Sequence, residues 1–208
     1  MTVLNFFEQL QSGIQQTTWY ELVAVCSGIV SVYYSKKESI WVYPIGLINT
    51  ILYIFISIKG HLLGEAAVNV YYTIMSVVGW RLWTLKNGQH QTVYSISRSN
   101  RKEWLQQLSF FAVVYIIVFS ALLFFKQHFF PGAIPWADAF ASATAFTAMW
   151  LMTRKKIESW YWWLATNIAS IPLYFVKQYV FTSCYYFVLL ILAVLGWMEW
   201  RKKLSEKI

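Results

Sequence analysis

Charge is scarce in this chain. Asp, Glu, Lys and Arg make up 12% of its 208 residues, where a soluble domain carries about 25%, and this excludes an ordinary soluble globular domain. Cysteine is limited to Cys26 and Cys184. The two lie far apart inside expected membrane spans with no metal or redox spacing, so both are expected to be small buried apolar residues. His61, His90 and His128 sit in or near loops and share no spacing, which excludes a metal or haem site built from them. No buried nucleophile–base pair or metal constellation is legible, so the chain does not read as an enzyme and no cofactor is expected. The first 15 residues lack a cationic start with a cleavage site, and no signal peptide is expected.

What is abundant is apolar sequence: 58% of the residues are hydrophobic and 20% aromatic. The charges cluster between apolar runs of about 20 residues, the length that crosses a bilayer as a helix. A β-barrel would show short alternating segments instead. The fold class is therefore an all-α polytopic membrane protein, with seven spans near 18–34, 41–58, 64–84, 104–125, 136–153, 160–177 and 180–200. Of the Lys and Arg residues, Lys59, Lys126 and Lys177 fall on one side of the membrane and the other fourteen on the opposite side, accounting for all 17. This is the positive-inside bias; it predicts an outward-facing amino terminus and a cytoplasmic carboxyl terminus. The net charge of +8 thus sets topology, and nucleic acid is not an expected partner. The polar stretch from about Lys86 to Glu103 reads as a solvated cytoplasmic connector.

The apolar pattern also repeats. TWYELVAVCSGIVSVYYSKKESIW from Thr18 returns as PWADAFASATAFTAMWLMTRKKIESW from Pro135, at an offset of 117 residues. Trp19 and Glu21 match Trp136 and Asp138, and GWRLW at Gly79 matches GWMEW at Gly196. The offset equals four spans, so both copies enter the membrane from the same side as parallel repeats. The expected organisation is an outward-facing segment (1–17), a first three-helix repeat (18–84), a cytoplasmic loop (85–103), a linker helix (104–125), a second three-helix repeat (126–200) and a basic tail (201–208). A duplicated unit of this kind is the sequence sign of a transporter with its site between the halves.

Span six, WYWWLATNIASIPLYFVK, is unusually polar for lipid. At 100° per residue Trp160, Trp163, Asn167, Ser170, Tyr174 and Lys177 share a sector of about 100°. Polar groups facing hydrocarbon cost several kcal/mol, so this stripe is expected to face the interior. In span three Glu65, Asn69, Tyr72, Ser76 and Trp80 align in the same way. Asn49 and Tyr53, one turn apart in span two, form the matching pair in the first unit. Trp19, Trp41, Trp136, Trp150 and Trp200 read as interfacial residues. Glu21, Glu65 and Asp138 fall at outer span ends, where solvation suffices; Glu65 is the strongest functional candidate of the three because it heads a polar stripe. Pro44 and Pro172 are positioned to let helices bend.

The spacing of Trp163, Asn167 and Tyr174, the closing IPLYFVKQYVFTSCYYFVLLILAVLGWMEWRKK and the first-unit WVYPIGLINTILY resemble PnuC-type vitamin transporters, from about Trp19 to Lys203. The resemblance implies a bacterial inner-membrane carrier of nicotinamide riboside, SWEET-like in fold and homotrimeric. It also implies facilitated diffusion, with the substrate trapped by a cytoplasmic riboside kinase. It points to Trp163 and Trp160 for stacking the pyridinium ring, to Asn167 for the carboxamide, and to Tyr174 and Asn49 for the sugar. Tyr53, Gln107, Lys177, Thr182 and Tyr186 are further candidates beside Glu65. At Asn69 the chain departs from the family pattern, which tends toward glutamine. The stripe lacks an Arg cluster, which suits a nucleoside rather than a nucleotide. Thiamine or riboflavin transport within the same family, and a membrane ligand sensor or enzyme, are the alternatives.

Overall fold

A computed structural model describes residues 17–59, 63–86, 92–125 and 133–206. His61, His90, His128, Lys126 and residues 1–16 lie outside the described residues. Seven helices occur among those described: α1 (Trp19–Lys36), α2 (Val42–Lys59), α3 (Leu63–Thr84), α4 (Arg101–Phe125), α5 (Pro135–Thr153), α6 (Ser159–Val176) and α7 (Val180–Ser205). They correspond one for one to the expected spans. By length and apolarity alone three of them qualify to cross a membrane: Val42–Lys59, Arg101–Phe124 and Val180–Ser205. The other four carry more of the small and polar residues that the interior requires.

Helix starts follow local chemistry. Glu21 accepts hydrogen bonds from the Thr18 amide (2.7 Å) and hydroxyl (2.8 Å), closing the first turn of α1. Its repeat counterpart Asp138 accepts from the Ile134 amide at 2.6 Å, and Pro135 opens α5. Pro44 falls in the first turn of α2, where a missing N–H costs nothing; it starts a helix rather than bending one. Pro172 is carried inside a continuous α6. The linker helix begins at Arg101, slightly earlier than the apolar run suggested, because Asn100 and Glu103 exchange backbone–side-chain bonds of 2.8 and 2.9 Å.

Packing closes a ring. α1 packs on α2, α2 on α3, α3 on α5, α5 on α6, α6 on α7, and α7 returns to α1; α4 leans on α5 from outside. Alanines 139, 143 and 148 are fully buried on α5, and small residues of this kind let membrane helices approach closely. The opposite face of α4 is bare, with Leu105, Ile116 and Phe124 at 66%, 61% and 80% exposure, as expected of a lipid-facing helix.

The two triplets meet about an approximate two-fold axis, and residues 117 positions apart occupy equivalent places. Trp83 donates its indole N–H to the Met152 carbonyl (3.2 Å), and its counterpart Trp200 donates to the carbonyl of Ser35, the counterpart of Met152 (3.1 Å). Tyr43 meets Trp83 edge-on at 5.1 Å and Trp160 meets Trp200 edge-on at 5.5 Å. Gly79 lies against the Tyr43 ring and Gly196 against the Trp160 ring, each so close that a Cβ would collide. Ser35 and Met152, themselves counterparts, touch at 3.1 Å, so the axis passes between them. Contacts that map onto themselves in this way are the signature of a two-fold interface.

Three expectations are corrected here. Trp200 is fully buried in this symmetric plug rather than interfacial, because its indole N–H has a carbonyl to satisfy at the axis. Cys26 is exposed on α1 rather than buried, since Ala24, Gly28 and Ser31 hold the packed face of that helix. The connector is not free: Ser97 donates to the Lys155 carbonyl and accepts from the Ile157 amide, and Glu158 accepts from the Ser99 amide and hydroxyl at 2.9 and 2.8 Å.

Candidate substrate-binding site between the two helix triplets

α6 supplies the most continuous wall. Asn167 is 3% exposed and Ser170 1%, with Trp163 and Tyr174 half-buried along the same stripe. Trp163 and Tyr174 are about 16 Å apart by helix rise, so the stripe runs a large part of the bilayer depth. The Asn167 side chain makes no hydrogen bond among the described residues. Its amide atoms are not among the fully buried polar atoms that lack a partner, so the amide keeps an accessible edge, free to bond a ligand.

The other helices bring aromatic hydroxyls to the same space. The ring of Tyr72 on α3 lies 6.3 Å from Trp163. Tyr174 stacks on Tyr186 of α7 at 5.2 Å and 13°, beside the buried Ser170 of the same stripe. Tyr72, Tyr185 and Tyr186 are all half-buried, and with Trp163 and Tyr174 they outline a candidate crevice between the triplets. Gly28 on α1 leaves room for it: a Cβ there would stand 2.5 Å from the Tyr185 hydroxyl and 2.8 Å from Asn49 Nδ2.

Toward the end away from the basic residues, Lys177 binds both Asp138 oxygens at 2.6 and 2.8 Å, so Asp138 is a paired group rather than a merely solvated one. Glu65 is exposed at the head of α3 yet lies within the field of Lys177, Asp138, Tyr53, Tyr174 and Tyr186. It stands at the mouth of the crevice. Thr182, its counterpart in the repeat, is half-buried in the first turn of α7.

Several candidates are engaged elsewhere. Asn49 donates to the Ala24 carbonyl at 2.7 Å, and Asn69 to the Glu65 carbonyl at 2.9 Å. Gln107 is fully buried, donates to Ser99 (2.7 Å) and accepts from Trp162 (3.2 Å), which ties α4 to the connector and to α6. Trp160 is 1% exposed inside the plug with Trp83 and Trp200. Trp80 is 40% exposed, turned away from the stripe that Tyr72 and Ser76 keep. Sequence reasoning missed Tyr72's contact with Trp163, the hydroxyl of Tyr185, and the role of Gly28. The glycine-for-bulk alternation at Gly28 is a signal that only a known neighbour makes readable.

The ring of six helices, duplicated about an axis, defines a membrane protein of two three-helix units that face one another. The chain belongs to the family described as Nicotinamide mononucleotide transporter, which matches residues 18–202. It is 23% identical to the riboflavin/roseoflavin transporter RibM of Streptomyces davaonensis, over 89% of this chain and 86% of that one. It is also 23% identical to the nicotinamide riboside transporter PnuC of Escherichia coli, over 94% and 90%, and 25% identical to the PnuC of Neisseria mucosa, over 89% and 73%. The crystal structure of the vitamin B3 transporter PnuC has the same fold, with a TM-score of 0.71 at 23% identity, covering 98% of this chain and 90% of that one. These relatives are named as transporters and not as enzymes.

Proposed function

We propose that the protein carries nicotinamide riboside across a bacterial inner membrane by facilitated diffusion, alternating access between the two triplets. A cytoplasmic riboside kinase then traps the substrate. The observation that carries the reading is the uncommitted Asn167 amide, buried on one face with Trp163 and Tyr174. A carboxamide both donates and accepts, and so does Asn167, so the two pair reciprocally. A pyridinium ring gains about 0.5–2 kcal/mol from each aromatic face it meets, and Trp163 and Tyr72 supply such faces. Tyr174 and Tyr186 are positioned for ribose hydroxyls, and Glu65 for drawing a cation to the mouth. Supporting the substrate assignment are the relatives named for nicotinamide riboside. The homotrimer and the outward amino terminus belong to the same proposal.

Calorimetric titration with nicotinamide riboside tests it. Asn167→Ala is expected to weaken binding about tenfold, the worth of one to two hydrogen bonds lost from a desolvated site; unchanged affinity removes Asn167 from the site. The relative named for riboflavin favours a second reading. Competition decides between them: riboflavin displacing labelled riboside at equal concentration overturns the substrate assignment. Uptake into vesicles lacking the kinase is expected to persist without a proton gradient, and its collapse there overturns facilitated diffusion.

A further inference from the structure

At the basic end a cavity of about 770 Å³ opens between the connector and the last turns of α7, lined by Arg98, Trp197, Met198, Arg201, Lys202 and Leu204, with Ser205 at its edge. None of its lining residues belongs to the Trp163–Tyr174 stripe. Its floor is apolar and its rim cationic. Arg201 stacks over the Trp197 ring at 5.4 Å, which holds the guanidinium at the rim. Arg98 and Arg201 have no carboxylate partner among the described residues, and Lys202 reaches only Glu206, at 3.9 Å in an exposed pair. Three cations thus converge from two elements, and among the described residues the one carboxylate paired with any of them is the exposed Glu206.

The depth of the cavity is informative. Trp197 and Met198 belong to the apolar run of α7, and Met198 is 55% exposed. Arg201 and Lys202 follow immediately after that run. The floor therefore sits at the hydrocarbon edge and the rim at headgroup level. The arrangement is also more than the usual basic decoration of span ends. In the first repeat, Thr84 and Leu85 occupy the places equivalent to Arg201 and Lys202. The connector is held firmly enough to matter, through the Ser97 ladder to Lys155 and Ile157 and the Ser99–Glu158 bonds.

We infer that this cavity is a binding site for an anionic phospholipid, its phosphate held by Arg98, Arg201 and Lys202 and one acyl chain laid over Trp197, Met198 and Leu204. Basic pockets beside spanning helices take such headgroups, and a bidentate guanidinium suits a phosphate diester. A lipid seated there ties the connector to α7, and through Glu158 to the start of α6.

The test uses the full chain purified in detergent and supplied with phosphatidylglycerol or phosphatidylcholine, with retained lipid counted by native mass spectrometry. Phosphatidylglycerol is expected to be retained in preference. The double variant Arg98→Gln, Arg201→Gln is expected to retain it about 30-fold less tightly, and Arg98→Gln alone about fivefold less. Arg81→Gln, at the depth of Met198 but in the other repeat, is expected to leave retention unchanged. Because the rim cations are exposed, the variants should melt at the parent temperature without lipid. Equal retention of phosphatidylcholine, or the same loss in Arg81→Gln as in the double variant, overturns the site. Displacement of the lipid by millimolar inorganic phosphate would make it a free-phosphate site, overturning the lipid assignment.

Discussion

Asn49 and Asn167 occupy corresponding helices, but they are not counterparts. At the repeat offset Asn49 stands opposite Thr166, and Asn167 opposite Thr50. The order of amide and hydroxyl is exchanged, and with it the chemistry. Asn49 is tied to the Ala24 carbonyl of α1. Thr166 ties α6 to Thr144 of α5 at 2.9 Å, which leaves Asn167 with no structural duty. The two alanine variants should therefore behave in opposite ways. Asn49→Ala is expected to lower the melting temperature by an amount corresponding to about 0.6–1 kcal/mol, with a small effect on affinity. Asn167→Ala should melt like the parent and bind poorly. Differential scanning fluorimetry beside titration separates them, and a matched fall in both quantities for both variants would defeat the distinction. From sequence, Asn49 and Tyr53 looked like the first-unit partners of Asn167 and Tyr174. Helical spacing shows which residues share a face, but not whether an amide is already engaged by a neighbouring backbone.

At the scale of helices the stripe on α6 was readable, because Trp160, Asn167 and Ser170 are all nearly inaccessible. What the period could not supply was depth. Trp160 shares the sector with Trp163 but sits one turn deeper into the plug, and nothing in a helical wheel separates the two. The chemistry of Gln107 suits a ligand hydroxyl, yet its amide is held by Ser99 and Trp162. The repeat itself does disclose depth once the contacts are known. Tyr43 and Trp160 are equivalent, both press on a glycine, and both leave a buried polar atom without a partner among the described residues, Tyr43 Oη and Trp160 Nε1. A residue whose counterpart does the same job in the other half is serving the interface between halves. Gly79→Ala and Gly196→Ala should each cost about 1–3 kcal/mol by overpacking against a ring, measured as a fall in melting temperature. Trp160→Phe should restore part of the loss for Gly196→Ala and none for Gly79→Ala. If Trp160→Phe rescued both variants equally, the two glycine–ring contacts would be coupled rather than separate.

On the scale of the whole molecule, the axis explains how two loops meet. Glu38 and Lys155 are counterparts, both in the left-handed backbone region at φ 60° and 52°, each ending the first helix of its triplet. Being counterparts beside the axis, they face each other, and their opposite charges make a bond of 2.9 Å. Lys203 adds a second contact to Glu38 at 3.3 Å. With the aromatic plug beneath, these pairs join the two triplets at the basic end of the ring. Under the proposed alternating access this junction has to open, so the pair should set the balance between states. Glu38→Gln leaves Lys155, whose side chain is 6% exposed, without its counter-charge. It is expected to destabilise the closed state by about 1–3 kcal/mol, less than a fully buried pair because Glu38 keeps some exposure. A cysteine introduced at Ser35 should then react with a polar maleimide from the basic side at least several-fold faster. The exchange Glu38→Lys with Lys155→Glu recreates the central bond in near-equivalent surroundings but sets Lys203 against a lysine. Protection of the cysteine should accordingly return in part, and return further when Lys203→Glu is added. If the exchanged pair gives no protection at all, the bond across the axis is not what keeps this end closed.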